Sequence, residues 1–247
     1  MRGAFRLFRV AGIEVYLHFT WFFVAALEFA RFARRYQAPV WGLFEYLALF
    51  GIVLLHEFGH AFACRQTGGR ADRIVLWPLG GVAFVQPPPR PGAYLWSIAA
   101  GPLVNVILFP LLTIALFIAG GAHLRLTNPD ASQFIISIWS INTGLLVFNL
   151  LPIYPLDGGQ IVRALLWFRL GPIRSLKIAS VIGFVGAIAF AVYAIMQQSI
   201  WLGVIAFFIF GQAQVGWRAA KNMALQNEMP KPSEAAVSPP PIPDERA

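Results

Sequence analysis

The stretch that decides the fold is VLLHEFGHAF, residues 53–62, because it sets three ionisable side chains in a long apolar run. His56 and His60 are four residues apart, so on a helix both project from one face, one turn apart. Glu57 follows His56 directly. Ionisable groups inside an apolar segment are costly and are usually functional. The stretch therefore predicts an apolar helix that carries a polar site.

The composition around this stretch is that of an integral membrane protein. Hydrophobic residues make up 58% of the 247 residues and charged residues 12%. A helix needs about 20 apolar residues to cross roughly 30 Å of hydrocarbon. Candidate spans lie near residues 18–33, 41–64, 93–119, 133–152, 174–197 and 199–217. We predict a mainly α polytopic membrane protein with about six transmembrane helices.

The net charge of +8 is better explained by membrane orientation than by nucleic-acid binding. If the N-terminus is cytoplasmic, only Arg31, Arg34, Arg35 and Arg125 face outside, and the other 15 of the 19 Lys and Arg residues face inside. Such asymmetry is what the positive-inside rule produces. We expect both termini in the cytoplasm, no nucleic-acid partner, and residence in the plasma (inner) membrane of a prokaryote.

Two short segments alternate in hydrophobicity instead of running apolar. Residues 5–17 alternate on both sides of an Ala-Gly pair, and residues 73–86 do so around Gly80 and Gly81. Such patterns predict β-hairpins. We expect them to pair into one small sheet at the membrane surface, within a membrane-embedded domain of residues 1–221. The polar, Pro-rich tail at 222–247 is predicted to be disordered and cytoplasmic.

The spacing of the two histidines predicts a zinc site. Both imidazoles can reach one metal, and Glu57 can act as a base without ligating it, which is the H-E-x-x-H pattern of zinc hydrolases. A catalytic zinc needs a third protein ligand. Cys64, the only cysteine, lies a further turn away and is expected to pack in the core. Asp157, after Pro152 and Pro155, is the better candidate, although an Asp-Gly-Gly after prolines could also be a simple turn.

Membrane topology favours Asp157 as the third ligand. In the expected arrangement the second and fourth spans run in the same direction, from outside to inside. His56, His60 and Asp157 then fall near the cytoplasmic leaflet, on the order of 10 Å below its boundary at 1.5 Å per helical residue. The three side chains are therefore expected at one depth.

Four separated motifs together resemble the site-2 protease family of intramembrane zinc metalloproteases. They are HEFGH at 56–60, PLGGVA at 78–83, AAGPLVN at 99–105 and NLLPIYPLDGG at 149–159. The resemblance implies that His56, His60 and Asp157 bind one Zn²⁺ per chain and that Glu57 is the general base. It implies that Asn149 and Asn105 position the substrate or the metal surroundings. It also implies that the substrates are transmembrane proteins, cut to release regulators or to clear signal-peptide remnants. PDZ and CBS domains, which many members carry, do not fit in this length.

The hairpin at 73–86 is a candidate substrate-binding edge. A transmembrane helix must unwind before it can be cut, and its exposed amides need partners. A strand edge beside the site could add the unwound stretch as another strand. Gly80, Gly81, Val82 and Phe84 are the candidate contact residues, with the amides of Val82 and Phe84 expected at the edge. A hairpin that only plugs the helix bundle is the alternative.

Three other functions fit the motif less well. Membrane zinc proteases of the prenyl-peptidase or stress-protease kind take a downstream Glu as third ligand, and here Glu228, Glu234 and Glu245 all lie in the tail. A metal transporter would place ligands at successive depths. A catalytically silent scaffold that binds membrane segments would be expected to have lost Glu57 or a ligand.

Overall fold

The computed structural model describes residues 3–23, 35–77, 80–121 and 124–228. Its strands are β1 (Ala4–Val10), β2 (Ile13–His18), β3 (Arg70–Trp77) and β4 (Gly80–Gln86). Its helices are α1 (Pro39–Gln66), α2 (Pro91–Gly121), α3 (Leu124–Thr127), α4 (Pro129–Leu150), α5 (Asp157–Met196) and α6 (Ile200–Glu228).

Five helices of the described residues are long and apolar enough to cross a membrane, namely α1, α2, α4, α5 and α6. The prediction of a mainly α membrane protein with a small sheet is confirmed. Of the span expected at 18–33, His18 ends β2, residues 19 and 20 form a turn, and residues 21–23 are helical. The remainder, 24–33, lies outside the described residues, so this span stays a prediction.

The two expected hairpins form one four-stranded sheet in the order β1-β2-β3-β4. Within each hairpin the strands are antiparallel, and β2 pairs with β3 in parallel. Ala11 and Gly12 join β1 to β2 with φ values of 50° and 75°, the positive values that a tight hairpin turn needs. The chain between the parallel strands contains α1, so this helix is the crossover of the sheet.

One face of the sheet packs on α1. The inward side chains of the sheet, including Ile13, Val15, Ile74 and Leu76, are fully buried with residues of the second half of α1, namely Val53, Phe58, Ala61 and Cys64. Cys64 is therefore a packing residue, as expected. The half of α1 that carries His56, Glu57 and His60 is therefore packed against the sheet.

Polar groups fix the other end of α1. The carboxylate of Asp130, at the start of α4, accepts the backbone amides of Gln37 and Ala38, both at 2.9 Å. Tyr36 donates to Glu45, whose other oxygen lies 2.6 Å from Arg35. Burial and this hydrogen bond raise the pKa of Tyr36 to about 12. The segment that leads into α1 is thereby tied to α4.

Two helices extend beyond the spans expected at 174–197 and 199–217. The stretch 158–170 is helical and forms the first part of α5, which kinks at Gly171 (φ 76°) before Pro172. Glycine tolerates the positive φ, and proline suits the first turn of the helical segment that follows. α6 continues to Glu228, into the tail predicted to be disordered from 222, because Lys, Met, Ala, Leu, Gln and Glu are strong helix formers. Residues 229–247 lie outside the described residues.

Candidate metal centre

The three ionisable residues of the opening motif lie in the second half of α1 and are buried. His56, Glu57 and His60 expose 3%, 5% and 6% of their surfaces. Both histidines face α2, while Glu57 faces the sheet. Helical geometry and the sheet contact together fix these directions.

Asp157 is the first residue of α5, and its carboxylate lies beside the two histidines. α4 ends at Leu150, and a short proline-containing loop turns the chain into α5. A Cβ on Gly158 would overlap the carbonyl oxygens of Leu150 and Leu151, and one on Gly159 would overlap the backbone of the loop. The two glycines therefore let α5 start close against the end of α4, which places the Asp157 carboxylate over the histidines.

The three side chains converge on one point. Nε2 of His56 lies 3.0 Å from Oδ2 of Asp157 and 3.1 Å from Nε2 of His60. Nε2 of His60 lies 3.5 Å from the same Oδ2. Among the residues that the structure describes, these three form the group able to hold a metal ion.

The separations of these atoms fit zinc. Ligand bonds of 2.0–2.2 Å in a tetrahedral site put neighbouring ligand atoms about 3.3 Å apart. The three observed distances bracket that value. Two nitrogens and one carboxylate oxygen are also one of the donor sets of catalytic zinc sites, which leave a fourth position open. The residues therefore fit a catalytic zinc ion.

The second ring nitrogen of each histidine is held by α2. Nδ1 of His56 lies 2.6 Å from Oδ1 of Asn105, and Nδ1 of His60 lies 2.9 Å from the backbone oxygen of Ser97. Such outer partners orient ligating imidazoles and raise their basicity. Asn105, which the sequence singled out, thus contacts a ligand directly.

Glycines bring α1 and α2 into this close contact. A Cβ on Gly59 would lie 2.5 Å from the backbone oxygen of Ala100, and a Cβ on Gly101 would overlap the imidazole of His60. The absence of side chains at these two positions is what lets the imidazoles pack between the helices.

Glu57 belongs to a different environment from the three ligands. Its Oε2 accepts the backbone N–H of Ala83 in β4 at 2.8 Å. A Cβ on Gly81 would overlap the Glu57 side chain. Glu57 therefore lies under β4, next to the ligands but directed toward the outer edge of the sheet.

The hydrogen bond of the Ala83 amide shows which backbone amides of β4 point to the free edge of the sheet. Along a strand of an antiparallel pair, successive residues direct their amides alternately toward and away from the partner. Since Ala83 donates to Glu57 and pairs with Ile74 in register, the amides at 81, 83 and 85 point to the free edge. Those of Val82 and Phe84 point to β3, so the prediction that they are edge amides is wrong.

The other candidate residues have varied surroundings. Val82 and Phe84 are 47% and 45% exposed, on the sheet face away from α1, and Gly80 begins β4 opposite Trp77. Asn149 is half-buried in the last turn of α4. No side-chain hydrogen bond of Asn149 occurs with the described residues.

The sequence reasoning missed one buried polar residue near the centre. Asn142 of α4 is fully buried and makes two hydrogen bonds to Asn105. The available signal was its amide in the apolar span at 133–152, since polar side chains at membrane depth are usually functional.

A family model described as Peptidase family M50 matches this chain over residues 44–135 and 122–193. These matches include both histidines, Glu57, Asn105 and Asp157.

Similar proteins among curated sequences carry related names. The chain is 31% identical over 215 residues to the zinc metalloprotease MJ0392 of Methanocaldococcus jannaschii, covering 87% of this chain and 60% of that protein. It is 30% identical to the putative zinc metalloprotease sll0528 of Synechocystis, covering 90% of this chain and 59% of that protein. The putative zinc metalloprotease Rip3 of Mycobacterium tuberculosis is also 30% identical, with 87% and 58% covered. The chain thus spans about three fifths of the length of these relatives.

A solved structure also resembles the fold. The site-2 protease from Methanocaldococcus jannaschii superimposes with a TM-score of 0.62 at 28% identity, covering 87% of this chain and 95% of that one.

Proposed function

Since this chain belongs to peptidase family M50, we propose that it is an intramembrane zinc metalloprotease that hydrolyses peptide bonds in or near transmembrane segments of other proteins. The observation that carries the proposal is the convergence of His56, His60 and Asp157, with Glu57 beside them, between buried faces of apolar helices.

Each residue of the centre has a separate role in this proposal. His56, His60 and Asp157 hold the zinc ion, which when bound supplies a Lewis acid that polarises the scissile carbonyl and acidifies water. Glu57 is the general base that takes a proton from the attacking water and returns it to the leaving nitrogen. The Ala83 amide holds the Glu57 carboxylate at the edge of β4.

The free edge of β4 is the proposed substrate-binding element. An unwound substrate segment would pair with the outward groups of Gly81, Ala83 and Val85, and its scissile bond would then lie alongside Glu57. The exposed side chains of Val82 and Phe84 would contact the substrate side chains. Asn149, in the last turn of α4, would help to position the substrate or the metal surroundings. Because the Ala83 N–H is donated to Glu57, the substrate would pair at this position with the Ala83 carbonyl, beside the base.

The proposed setting is a multi-pass protein with cytoplasmic termini in the plasma membrane of a prokaryote, and its partners are transmembrane protein substrates. The charge asymmetry supports this orientation. Cysteines introduced singly at positions 70, 125 and 225 of a Cys64→Ser variant test it. We expect cytoplasmic labelling at 70 and 225 and external labelling at 125, and the reverse pattern would contradict the orientation.

The decisive experiment compares the parent with Glu57→Gln in cells that express candidate single-span substrates. We expect the parent to release a shortened fragment and Glu57→Gln to accumulate intact substrate while still binding one zinc per chain. Equal processing by both proteins would contradict the assignment of Glu57 as the base, and loss of zinc from the variant would make Glu57 structural. Absence of cleavage by the parent across all substrates would favour a silent scaffold.

A further inference from the structure

Asn142 of α4 makes both of its side-chain hydrogen bonds to a single residue of α2. Its Nδ2 donates to the backbone oxygen of Asn105 at 3.1 Å, and its Oδ1 accepts from Nδ2 of Asn105 at 2.8 Å. The Oδ1 of Asn105 in turn lies 2.6 Å from Nδ1 of His56. Both asparagines have no exposed surface. A chain of three buried side chains therefore leads from α4 to a metal ligand on α1.

The backbone oxygen of Asn105 determines the direction of every bond in this chain. A carbonyl oxygen can only accept, so Asn142 must turn its Nδ2 toward it. The Oδ1 of Asn142 then faces the Asn105 side chain, which must present its own Nδ2. Asn105 is left with Oδ1 toward His56.

An oxygen facing Nδ1 of His56 requires the hydrogen to be on that nitrogen. In a neutral imidazole the other nitrogen, Nε2, then carries the lone pair. Nε2 is the atom that lies 3.0 Å from Asp157 and 3.1 Å from His60, at the metal position. The orientation of an amide on α4 thus determines which histidine nitrogen is available to zinc.

We propose that Asn142 is a positioning residue of the metal centre, which fixes the amide orientation of Asn105 and through it the zinc-binding tautomer of His56. This inference rests on the proposed function for the identity of the metal. It adds a residue that touches neither zinc nor substrate.

His60 shows why His56 needs such support. Nδ1 of His60 donates to the backbone oxygen of Ser97, which has no second orientation. His56 depends instead on a side-chain amide, which can turn by 180° and offer either its oxygen or its nitrogen. The bonds to Asn142 remove that freedom, because a turned Asn105 would set its Oδ1 against Oδ1 of Asn142, two acceptors with no hydrogen between them.

A purely structural link between α2 and α4 is the alternative role for Asn142. It predicts that removing the amide lowers stability but leaves both the tautomer of His56 and zinc affinity unchanged. Thr143 supplies a matched control, because its buried hydroxyl has no hydrogen-bond partner among the described residues. Thr143→Val removes a polar atom from the neighbouring position without touching the chain of amides.

The test uses the full chain in detergent with ¹⁵N-labelled histidines. In the zinc-free parent, with His56→Ala for assignment, we expect a protected N–H signal from Nδ1 of His56. Asn142→Leu should lose that protection and bind zinc roughly 10-fold more weakly in competition with a chelator, in the range for outer-shell partners of metal ligands. Thr143→Val should keep the signal and stay within about twofold of the parent in zinc affinity.

A double-variant cycle separates the relay from independent effects. In an Asn105→Leu background, Asn142→Leu should weaken zinc binding little further. The inference is overturned if Asn142→Leu keeps the protected signal and the parent's affinity, or if the two substitutions weaken binding multiplicatively. If the parent binds no zinc but Asn142→Leu still alters the His56 signal, the proposed function fails and the positioning role stands.

Discussion

Replacing Gly101 with alanine tests the packing on which the metal centre depends. A Cβ at this position of α2 would lie 2.8 Å from Cδ2 of His60 and closer still to Nε2 and Cε1, whereas ordinary contact begins near 3.4 Å. The imidazole must therefore retreat by more than half an ångström. Nδ1 of His60 is hydrogen-bonded to the backbone oxygen of Ser97, which lies one turn before Gly101 on α2. Movement of the imidazole away from Gly101 therefore also strains that hydrogen bond.

The expected loss follows from the tolerance of metal sites. Ligand distances in zinc sites vary by only about 0.2 Å, so the displaced nitrogen leaves bonding range. We expect zinc affinity to fall 10- to 100-fold, about 1.4–2.7 kcal/mol. The substitution should itself stabilise the helix, because alanine is more favourable than glycine in a helix by about 0.5–1 kcal/mol. Weaker zinc binding could not then be explained by a weaker helix.

The measurement is zinc per chain after purification, followed by competition with a chelating dye. Gly120→Ala is the matched control, since it lies on the same helix and its Cβ would meet no described atom within 4 Å. We expect the control to bind zinc like the parent. Equal affinities for Gly101→Ala and Gly120→Ala would refute the packing argument.

Three further predictions concern other parts of the molecule. Asp157→Ala should lower bound zinc well below one per chain by elemental analysis, and full retention would mean that another group is the third ligand. Val85→Pro removes a backbone amide that points to the free edge and makes no hydrogen bond to β3. It should therefore slow cleavage of Leu-rich substrate helices severalfold more than cleavage of helices with Gly or Pro near the cut. Equal slowing of both would contradict strand addition. Asp130→Ala leaves the amides of Gln37 and Ala38, just before α1, without their acceptor, a loss like that of a helix cap, about 1 kcal/mol. Its melting temperature in detergent should fall by about 2–4 °C with zinc binding unchanged, and a lower zinc affinity would show that this cluster acts on the metal centre.

The class of fold and the ligand group could be predicted because their signals are local. Long apolar runs report helices, and the four-residue spacing of His56 and His60 places them on one face. Asp157 could be added because charged groups are rare in the spans and topology puts it at the same depth. Alternation around turn residues was sufficient to predict both hairpins.

The features that escaped prediction depend on contacts between distant segments. Asn142 is 86 positions from His56, and only the packing of α4 on α2 reveals its connection to that ligand. The alternation of β4 predicts which side chains face α1, but the direction of its amides depends on register with β3, and therefore the edge groups were assigned one residue out. The length of α6 was underestimated because polar helix formers and disordered tails have similar hydropathy.

The parallel pairing of β2 with β3 constrains the order of biogenesis. These strands become neighbours only after the chain between them, including α1, has been synthesised and inserted into the bilayer. The edge strand β4 joins later still, and Asp157 emerges about 70 residues after that. A nascent chain therefore holds both histidines in the membrane well before it possesses a complete centre.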